Sequence, residues 1–227
     1  MTRLLCQRIA KGNMMKEHVS ENVPYGWSED RQGFLFVIRP VCELIQRYVG
    51  APGTVRVLDL GCGNGALCGA LRALGYDVSG TEVDQEGCTL ARKRNKDVPI
   101  FQVGVYDSPD DVLENGPYDC VVSTEVIEHL YAPKALPNFA ARVLRPGGWL
   151  IISAPYHGYL KNLVWSIFNF WDRHHAALWE GGHIKFFSRK TLSQLLEAVG
   201  FEVVAFRGVR RLPFLWSSMI LVVKKQE

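Results

Sequence analysis

Residues 55–66 read VRVLDLGCGNGA, and this stretch decides the fold. Its first half, residues 55–60, is apolar and β-branched apart from two charged residues, a pattern typical of a buried parallel strand. Its second half, residues 61–65, cannot continue that strand, because three glycines in five residues favour a turn that lets the backbone approach a ligand closely. The apolar residues that follow have helical spacing as far as Gly75. The stretch therefore predicts a strand, a glycine turn and a helix, which form a ligand-binding βα unit.

Asp59 distinguishes between two classes of ligand that such a turn can bind. Gly61, Gly63 and Ala66 also fit the dinucleotide fingerprint G-x-G-x-x-G/A. A carboxylate two residues before the first glycine would repel a pyrophosphate, whereas it would attract an ammonium or sulfonium group. The sequence therefore favours a cationic ligand, with a nicotinamide dinucleotide as the alternative.

Residues 59–65, DLGCGNG, closely resemble motif I of the class I S-adenosylmethionine (SAM)-dependent methyltransferases. The resemblance extends over residues 55–225 and is also specific in residues 125–130, EVIEHL, and residues 144–148, LRPGG. It implies an α/β fold, a Rossmann-like, seven-stranded and mostly parallel sheet with helices on both faces, in the order 3-2-1-4-5-7-6 with the last strand antiparallel. It also implies SAM as the cofactor, bound near Asp59, Gly61, Cys62, Gly63 and Gly65.

The second predicted strand, residues 76–82, ends in a carboxylate. Such a group can accept hydrogen bonds from both hydroxyls of a ribose. Glu82 stands where the family carries its ribose-binding acid, so we assign the ribose to Glu82, with Val83 beside it in the cofactor site. Asp84 is expected at the start of the following helix.

The third and fourth predicted strands, residues 99–105 and 118–124, supply two more candidate cofactor residues. By resemblance, Asp107 accepts a hydrogen bond from the adenine amino group, and its alternative role is to cap a short helix. Thr124, at the end of the fourth strand, is placed in the same site.

Residues 125–130 contain a group of closely spaced titratable side chains. If the segment is helical, Glu125, Glu128 and His129 share one face. Two carboxylates and an imidazole at this spacing suit a divalent metal or general acid–base chemistry. The small-RNA 3′-terminal 2′-O-methyltransferases share the E-x-x-E-H pattern and add a distant histidine as a metal ligand, and by resemblance His183 can supply that ligand here.

Two chemical hypotheses follow from this group. In one, Glu125, Glu128, His129 and His183 hold Mg²⁺ or Zn²⁺ against the acceptor hydroxyl. In the other, His129 is a metal-free general base oriented by Glu128. His157, after the fifth predicted strand, is a second candidate base. The non-catalytic alternative is that the carboxylates begin a helix and the histidines are packing or loop residues.

Two segments extend the expected core fold. Residues 155–187 concentrate aromatic side chains after the fifth strand, at the edge where open α/β sheets bind ligands, so we interpret them as a substrate lid. Contact with a second copy or with a membrane is the alternative. Residues 1–50 form an N-terminal helical lid, in which Tyr25, Trp27 and Arg31 are candidates by resemblance, and packing of the helix on the sheet is the alternative.

The composition fits a single domain spanning residues 1–227, of which 48% are hydrophobic. A net charge of +3 without a dense basic stripe gives no strong sign of nucleic-acid binding. Six cysteines form no C-x-x-C pair, so we expect reduced thiols and a cytoplasmic protein. No apolar run approaches about twenty residues, so we expect no transmembrane segment, while peripheral membrane contact stays open.

These residues together predict an enzyme, a SAM-dependent methyltransferase. The sequence most resembles the O-methyltransferases of ubiquinone biosynthesis and their small-molecule relatives, which implies in-line methyl transfer to a hydroxyl of a small aromatic or quinol-like acceptor. Three alternatives stay open: RNA 3′-terminal 2′-O-methylation with a divalent metal, small-molecule N-methylation, and a SAM-binding interaction protein without catalysis.

Overall fold

The computed structural model describes residues 35–171, 178 and 181–226. Seven strands within these residues form one sheet: β1 (Arg56–Leu60), β2 (Asp77–Thr81), β3 (Ile100–Phe101), β4 (Tyr118–Thr124), β5 (Leu144–Pro155), β6 (Phe201–Val209) and β7 (Ser218–Lys225). The helices are α1 (Leu35–Tyr48), α2 (Ala66–Ala73), α3 (Gln85–Arg94), α4 (Asp110–Leu113), α5 (Ala135–Val143), α6 (Tyr159–Ile167) and α7 (Arg189–Glu197), and a 3₁₀ turn spans Ile127–His129.

The strands lie in the order β3-β2-β1-β4-β5-β7-β6. All neighbouring pairs from β3 to β5 are parallel, and β7 is antiparallel to both β5 and β6. The predicted Rossmann-like fold is therefore confirmed, including the order of its strands.

Helices cover both faces of the sheet because successive strand residues point to opposite sides. Val57 and Val122 belong to a buried cluster with residues of α1, α2 and α3. Leu58 and Val121 belong to a second cluster with residues of α5 and α7. The central strands are thus buried on both sides, which explains why they read as nearly continuous apolar runs in the sequence.

β3 is shorter than the predicted residues 99–105, and β5 is irregular near its start. β3 has only two residues, because Phe101 pairs with Thr81 and β2 ends there. β5 contains a bulge: Leu144 pairs with Tyr118, residues 145–148 bulge out, and the pairing resumes between Trp149 and Cys120.

The N-terminal extension packs partly on the sheet. Val37, Val41 and Ile45 of α1 are fully buried in the core cluster under the sheet. The lid candidates Tyr25, Trp27 and Arg31 lie outside the described residues, and the lid role of residues 1–50 stays a prediction. None of the helices in the described part of the chain is long and apolar enough to cross a membrane.

The parallel arrangement brings the candidate site residues to one edge of the sheet. The first residues after β1, β2 and β4 are Gly61, Glu82 and Glu125, and these three strands are neighbours in the sheet. Side chains that are far apart in the sequence therefore meet at the carboxyl ends of the strands, where open α/β sheets bind ligands.

The glycine turn provides a test of the fold. Gly65 has a φ of +74°, and a Cβ on it would lie 3.0 Å from the Cα of Ala91 in α3. Gly53 has a φ of +86°, and a Cβ on it would meet nothing within 4 Å. We expect Gly53→Ala to lower the free energy of unfolding by about 1 kcal/mol through backbone strain, and Gly65→Ala by about 3 kcal/mol through strain and overpacking together. Equal losses in urea unfolding would show that α2 and α3 are not packed as described.

Candidate active site

A cavity of about 630 Å³ opens at the carboxyl ends of β1, β2 and β4. Most of the predicted cofactor residues line it: Asp59, Gly61, Cys62, Gly63, Glu82, Val83 and Thr124. Of the residues predicted for acid–base or metal chemistry, Glu125, His129 and His183 line it too. One cavity therefore contains both the glycine turn and the imidazoles.

Asp59 is buried in the cavity wall with half of its carboxylate unsatisfied. Its Oδ2 atom accepts a hydrogen bond from the Cys68 thiol at 3.3 Å. Its Oδ1 atom is buried and has no hydrogen-bond partner among the described residues. Burial, with a smaller contribution from the nearby Glu82 carboxylate, raises the pKa of Asp59 to about 7. A cationic ligand in the cavity would satisfy the orphan oxygen and favour the ionised form.

Glu82 is held over the glycine turn by backbone donors. Its Oε2 accepts a hydrogen bond from the Gly63 amide at 2.7 Å, and its Oε1 accepts one from the Asp84 amide at 2.9 Å. Burial raises the pKa of Glu82, although these amides favour its charged form. The carboxylate is fixed in position and can accept further hydrogen bonds from a ligand, since each oxygen has two lone pairs.

Two predicted cofactor residues do not line the cavity. Gly65 is needed for the close approach of α2 to α3, where the Asn95 amide nitrogen donates to the Gly65 carbonyl at 2.9 Å. Asp107 is exposed, and its Oδ2 accepts a hydrogen bond from the Gly104 amide at 2.7 Å. Its neighbour Tyr106 lines the cavity instead, and the assignment of Asp107 to adenine stays a prediction.

Glu128, His129 and His183 form a compact group in which one ligand atom of each lies within 4.8 Å of the others. The Oε1 atom of Glu128 lies 3.9 Å from Nε2 of His129 and 3.9 Å from Nε2 of His183. Glu128 is fully buried, and neither of its carboxylate oxygens has a hydrogen-bond partner among the described residues. Burial and the nearby Glu125 carboxylate raise the pKa of Glu128 well above its usual range.

Backbone hydrogen bonds explain how residues more than fifty positions apart meet in this group. The Glu128 carbonyl accepts hydrogen bonds from the amides of Ile184 and Lys185, at 2.9 and 3.0 Å. The Nδ1 atom of His129 lies 3.3 Å from the Gly182 carbonyl oxygen. That contact favours the tautomer with the proton on Nδ1, in which Nε2 carries the lone pair.

The structure does not bring Glu125 into this group. The prediction assumed that a helix starts at Glu125, but the 3₁₀ turn begins at Ile127 and Glu125 has a φ of +55°. The Oε1 atom of Glu125 accepts hydrogen bonds from the hydroxyls of Ser153, at 2.7 Å, and Ser218, at 2.6 Å. Burial raises the pKa of Glu125. A left-handed backbone at a glutamate is unfavourable and marks a position that the surrounding structure constrains.

His157 does not line the cavity. Its ring packs edge to face against Phe186 at 5.0 Å and Trp165 at 6.0 Å, and its amide donates to the Phe187 carbonyl at 3.0 Å. These contacts bury the ring among aromatic side chains, whereas the alternative to the base role was a loop residue. Its role as a base stays a prediction.

Several apolar side chains that line the cavity were not predicted from the sequence. Phe36 and Ile38 reach it from α1, and Tyr131 reaches it from the segment after the 3₁₀ turn. The position of Tyr131, two residues after His129, was a signal that could have been used. No local pattern marks Phe36 and Ile38, because their role depends on how α1 packs against the sheet.

Comparison with known proteins identifies the family to which the chain belongs. A family model described as "Methyltransferase domain" matches residues 30–205. The chain belongs to this family of methyltransferase domains. The fold agrees with this class: the magnesium protoporphyrin IX methyltransferase of Synechocystis PCC 6803, solved with bound S-adenosylhomocysteine, superposes with a TM-score of 0.64 at 19% identity, over 99% of this chain and 95% of that one.

Two curated relatives carry the name ubiquinone biosynthesis O-methyltransferase. The protein from Bordetella avium is 32% identical over 123 residues, which cover 52% of this chain and 51% of the relative. The protein from Hydrogenovibrio crunogenus is 30% identical over 148 residues, which cover 63% of this chain and 60% of the relative. The chain therefore aligns with only about half to three fifths of the length of these two relatives.

The orphan oxygen of Asp59 predicts an unusual stability profile for the ligand-free protein. Because folding raises the pKa of Asp59 from 3.8 to about 7, the folded state binds this proton more tightly, and the free energy of unfolding falls as the pH rises between these values. Asp59→Asn removes the ionisable group, and with it the loss of stability that ionising the buried carboxyl causes. We expect its Tm to exceed that of the wild type by about 5 °C at about pH 8, and the two values to converge below about pH 4.

Asp97→Asn is the matched control, because Asp97 is an exposed carboxylate. Its Tm should follow that of the wild type at every pH. Destabilisation of the Asp59→Asn variant at about pH 8 would mean that the protein itself satisfies the Asp59 carboxylate.

Proposed function

We propose that the chain binds SAM and transfers its methyl group to a hydroxyl of a small aromatic or quinol-like acceptor. The observation that carries this proposal is the set of side chains that line the cavity at the carboxyl ends of β1, β2 and β4. Asp59 and Glu82 lie at the glycine turn, while Glu125, His129 and His183 lie in the wall formed after β4 and by the segment after α6.

The glycine-turn part of the cavity suits SAM. The buried Oδ1 of Asp59 lacks a partner, so a ligand with an ammonium or sulfonium group would remove the cost of burying this charge. Glu82 is fixed by two backbone amides and can accept hydrogen bonds from vicinal hydroxyls. A pyrophosphate would instead face two carboxylates, which argues against a dinucleotide.

The remaining walls of the cavity suit an apolar, ring-shaped acceptor. Phe36, Val105, Tyr106, Leu130 and Tyr131 contribute apolar or aromatic surface to it. A planar acceptor can pack between such side chains while a few polar groups fix its orientation. The names of the curated relatives support a hydroxyl of a quinol-like molecule as the methyl acceptor.

The group of Glu128, His129 and His183 fits a divalent metal. Two imidazoles and one carboxylate form a donor set known from catalytic zinc sites, in which a further coordination position stays open. Mg²⁺ prefers oxygen ligands, so this donor set favours Zn²⁺ or another transition metal. The buried, unsatisfied carboxylate of Glu128 supports this assignment, since a bound cation would compensate its charge. When bound, the metal would stabilise the ionised form of the acceptor hydroxyl.

The protein's own residues have three tasks in this reaction. SAM supplies an electrophilic methyl group on a positively charged sulfur. Asp59 and Glu82 hold that donor in a fixed orientation, and the apolar walls align the acceptor for in-line attack and limit the access of water. In the metal-free form of the mechanism, His129 takes the acceptor proton, and Glu128, whose Oε1 atom lies 3.9 Å from Nε2 of His129, orients the ring.

Methyl transfer to a small panel of acceptors tests the proposal directly. We expect S-adenosylhomocysteine to form with a catechol or hydroquinone acceptor and not with the matching aniline. His129→Asn should lower kcat by about 10²–10⁴-fold, because it removes the base and a metal ligand. Transfer to the 3′ end of a short RNA, or to the aniline alone, would replace this acceptor assignment with one of its alternatives.

A metal titration separates the two carboxylates of the E-x-x-E-H segment. We expect calorimetry with Zn²⁺ to show one site in the wild type, at least about tenfold weaker binding in Glu128→Gln, and unchanged binding in Glu125→Gln, because the Glu125 carboxylate bonds to Ser153 and Ser218. An equal loss of zinc affinity in both variants would show that Glu125 is also a metal ligand. Absence of zinc binding in the wild type would leave His129 as a metal-free base.

A further inference from the structure

Residues 182–185, which we call the 182–185 segment, have no regular secondary structure, and their backbone is joined to the 3₁₀ turn. The amides of Ile184 and Lys185 both donate to the Glu128 carbonyl, at 2.9 and 3.0 Å. The carboxylate of the same Glu128 has no hydrogen-bond partner among the described residues. The segment is thus held by the backbone of a residue whose buried side chain is unsatisfied.

Apolar burial contributes little to holding the 182–185 segment in place. The side chain of Ile184 is 49% exposed, and Phe186, just beyond the segment, is 46% exposed. The first buried apolar residue after the segment is Phe187, whose carbonyl accepts a hydrogen bond from the His157 amide at 3.0 Å. A stretch with few buried apolar contacts and a few hydrogen bonds opens locally at low free energy.

The side chains of the metal group come from both sides of this backbone contact. Glu128 and His129 belong to the 3₁₀ turn, whereas His183 belongs to the 182–185 segment. The Oε1 atom of Glu128 lies 3.9 Å from Nε2 of each histidine, which is longer than a hydrogen bond. A cation bound by all three side chains would add bonds between the turn and the segment. Opening of the segment would then require loss of the His183 ligand.

We propose that the 182–185 segment is a positioning element of the metal group, and that metal binding locks it against the 3₁₀ turn. Ile184 and Lys185 are positioning residues, because their amides hold Glu128 while their side chains do not belong to the metal group. His183 also lines the cavity, so a metal that fixes His183 also fixes this part of the cavity wall. This locking rests on the metal assignment proposed above and ties the shape of the acceptor wall to the metal.

Hydrogen exchange of the full chain with and without Zn²⁺, resolved to single amides by NMR, tests the locking. If the openings that expose the Ile184 and Lys185 amides also release the metal, their protection rises about 100-fold at a free zinc concentration of about 100 times the Kd. The His183→Ala variant should lose this gain at saturating zinc, because the metal no longer bridges the two elements. The control is the Gly200 amide, which donates to the Glu197 carbonyl at 3.1 Å after α7 and should exchange equally in all samples.

Ile184→Pro and Ile184→Ala form a matched pair that tests the positioning role. Both variants remove the half-exposed side chain, but the proline also removes the amide that donates to the Glu128 carbonyl. We expect calorimetry to show about fivefold weaker zinc binding in Ile184→Pro, and an affinity within about twofold of the wild type in Ile184→Ala. The Tm of both variants should stay within a few degrees of the wild type, because residue 184 lies outside the helices and strands.

The possible failures are distinguishable. Saturable zinc binding without slower exchange of the Ile184 and Lys185 amides would overturn the locking and leave the metal site in place. Equal zinc affinity in the proline and alanine variants would overturn the positioning role of Ile184. Absence of zinc binding in the wild type would overturn the metal assignment itself, and the locking with it.

Discussion

The buried Oδ1 atom of Asp59 is the feature on which the account of the site depends. A carboxylate oxygen without a hydrogen-bond partner is costly in a protein interior, yet Asp59 lies in the central strand β1 between β2 and β4. The surrounding strands and the glycine turn give the backbone no freedom to move this side chain into water. The fold therefore keeps an unsatisfied carboxylate oxygen at the edge where a ligand enters, and a cationic ligand removes the cost of ionising it there.

The other carboxylates in or beside the cavity differ in how their oxygens are satisfied. Glu82 is satisfied by the backbone of the turn and the following helix, so it can accept a ligand's hydroxyls without changing position. Glu125 is satisfied by two serine hydroxyls. Glu128 is not satisfied by any donor in the described part of the chain, and the Nε2 atoms of His129 and His183 each lie 3.9 Å from its Oε1 atom. The two unsatisfied carboxylates, Asp59 and Glu128, are the ones that we assign to cationic partners.

Local patterns in the sequence predicted the strand, turn and helix that carry the glycines, whereas the strand order and the grouping of His183 with residues 125–130 were implied by the resemblance to methyltransferases. The strand, turn and helix around Gly61 follow from apolar runs and glycine spacing, and the structure reproduces them. Glu128, His129 and His183 were predicted as one group, and they lie together. Glu125 was predicted with them on the assumption of a continuous helix, and its left-handed backbone breaks that assumption. Such a backbone at a non-glycine residue depends on tertiary contacts with β5 and β7, which no local pattern reveals.

Other features depended on packing between distant elements. The length of β3 is limited by the end of β2, and the cavity wall formed by Phe36 and Ile38 depends on where α1 lies on the sheet. The aromatic residues after β5 were predicted to cover the substrate. In the described part of that segment, His183 reaches the cavity, while Tyr159, Leu163 and Ile167 of α6 are exposed. Composition alone does not predict which side of α6 is buried, because this depends on the hydrogen bonds that the buried Lys161 donates to the carbonyls of Tyr156 and Ser217.

Calorimetric titration with SAM, and with S-adenosylhomocysteine, tests the central claim most directly when wild type and Asp59→Ala are compared. The account predicts saturable binding of both ligands to the wild type and at least about tenfold weaker binding to the variant, with both proteins folded by circular dichroism. Equal affinity in the two proteins would contradict the role of Asp59. Absence of binding to the wild type, together with binding of a nicotinamide dinucleotide, would contradict the cofactor assignment itself.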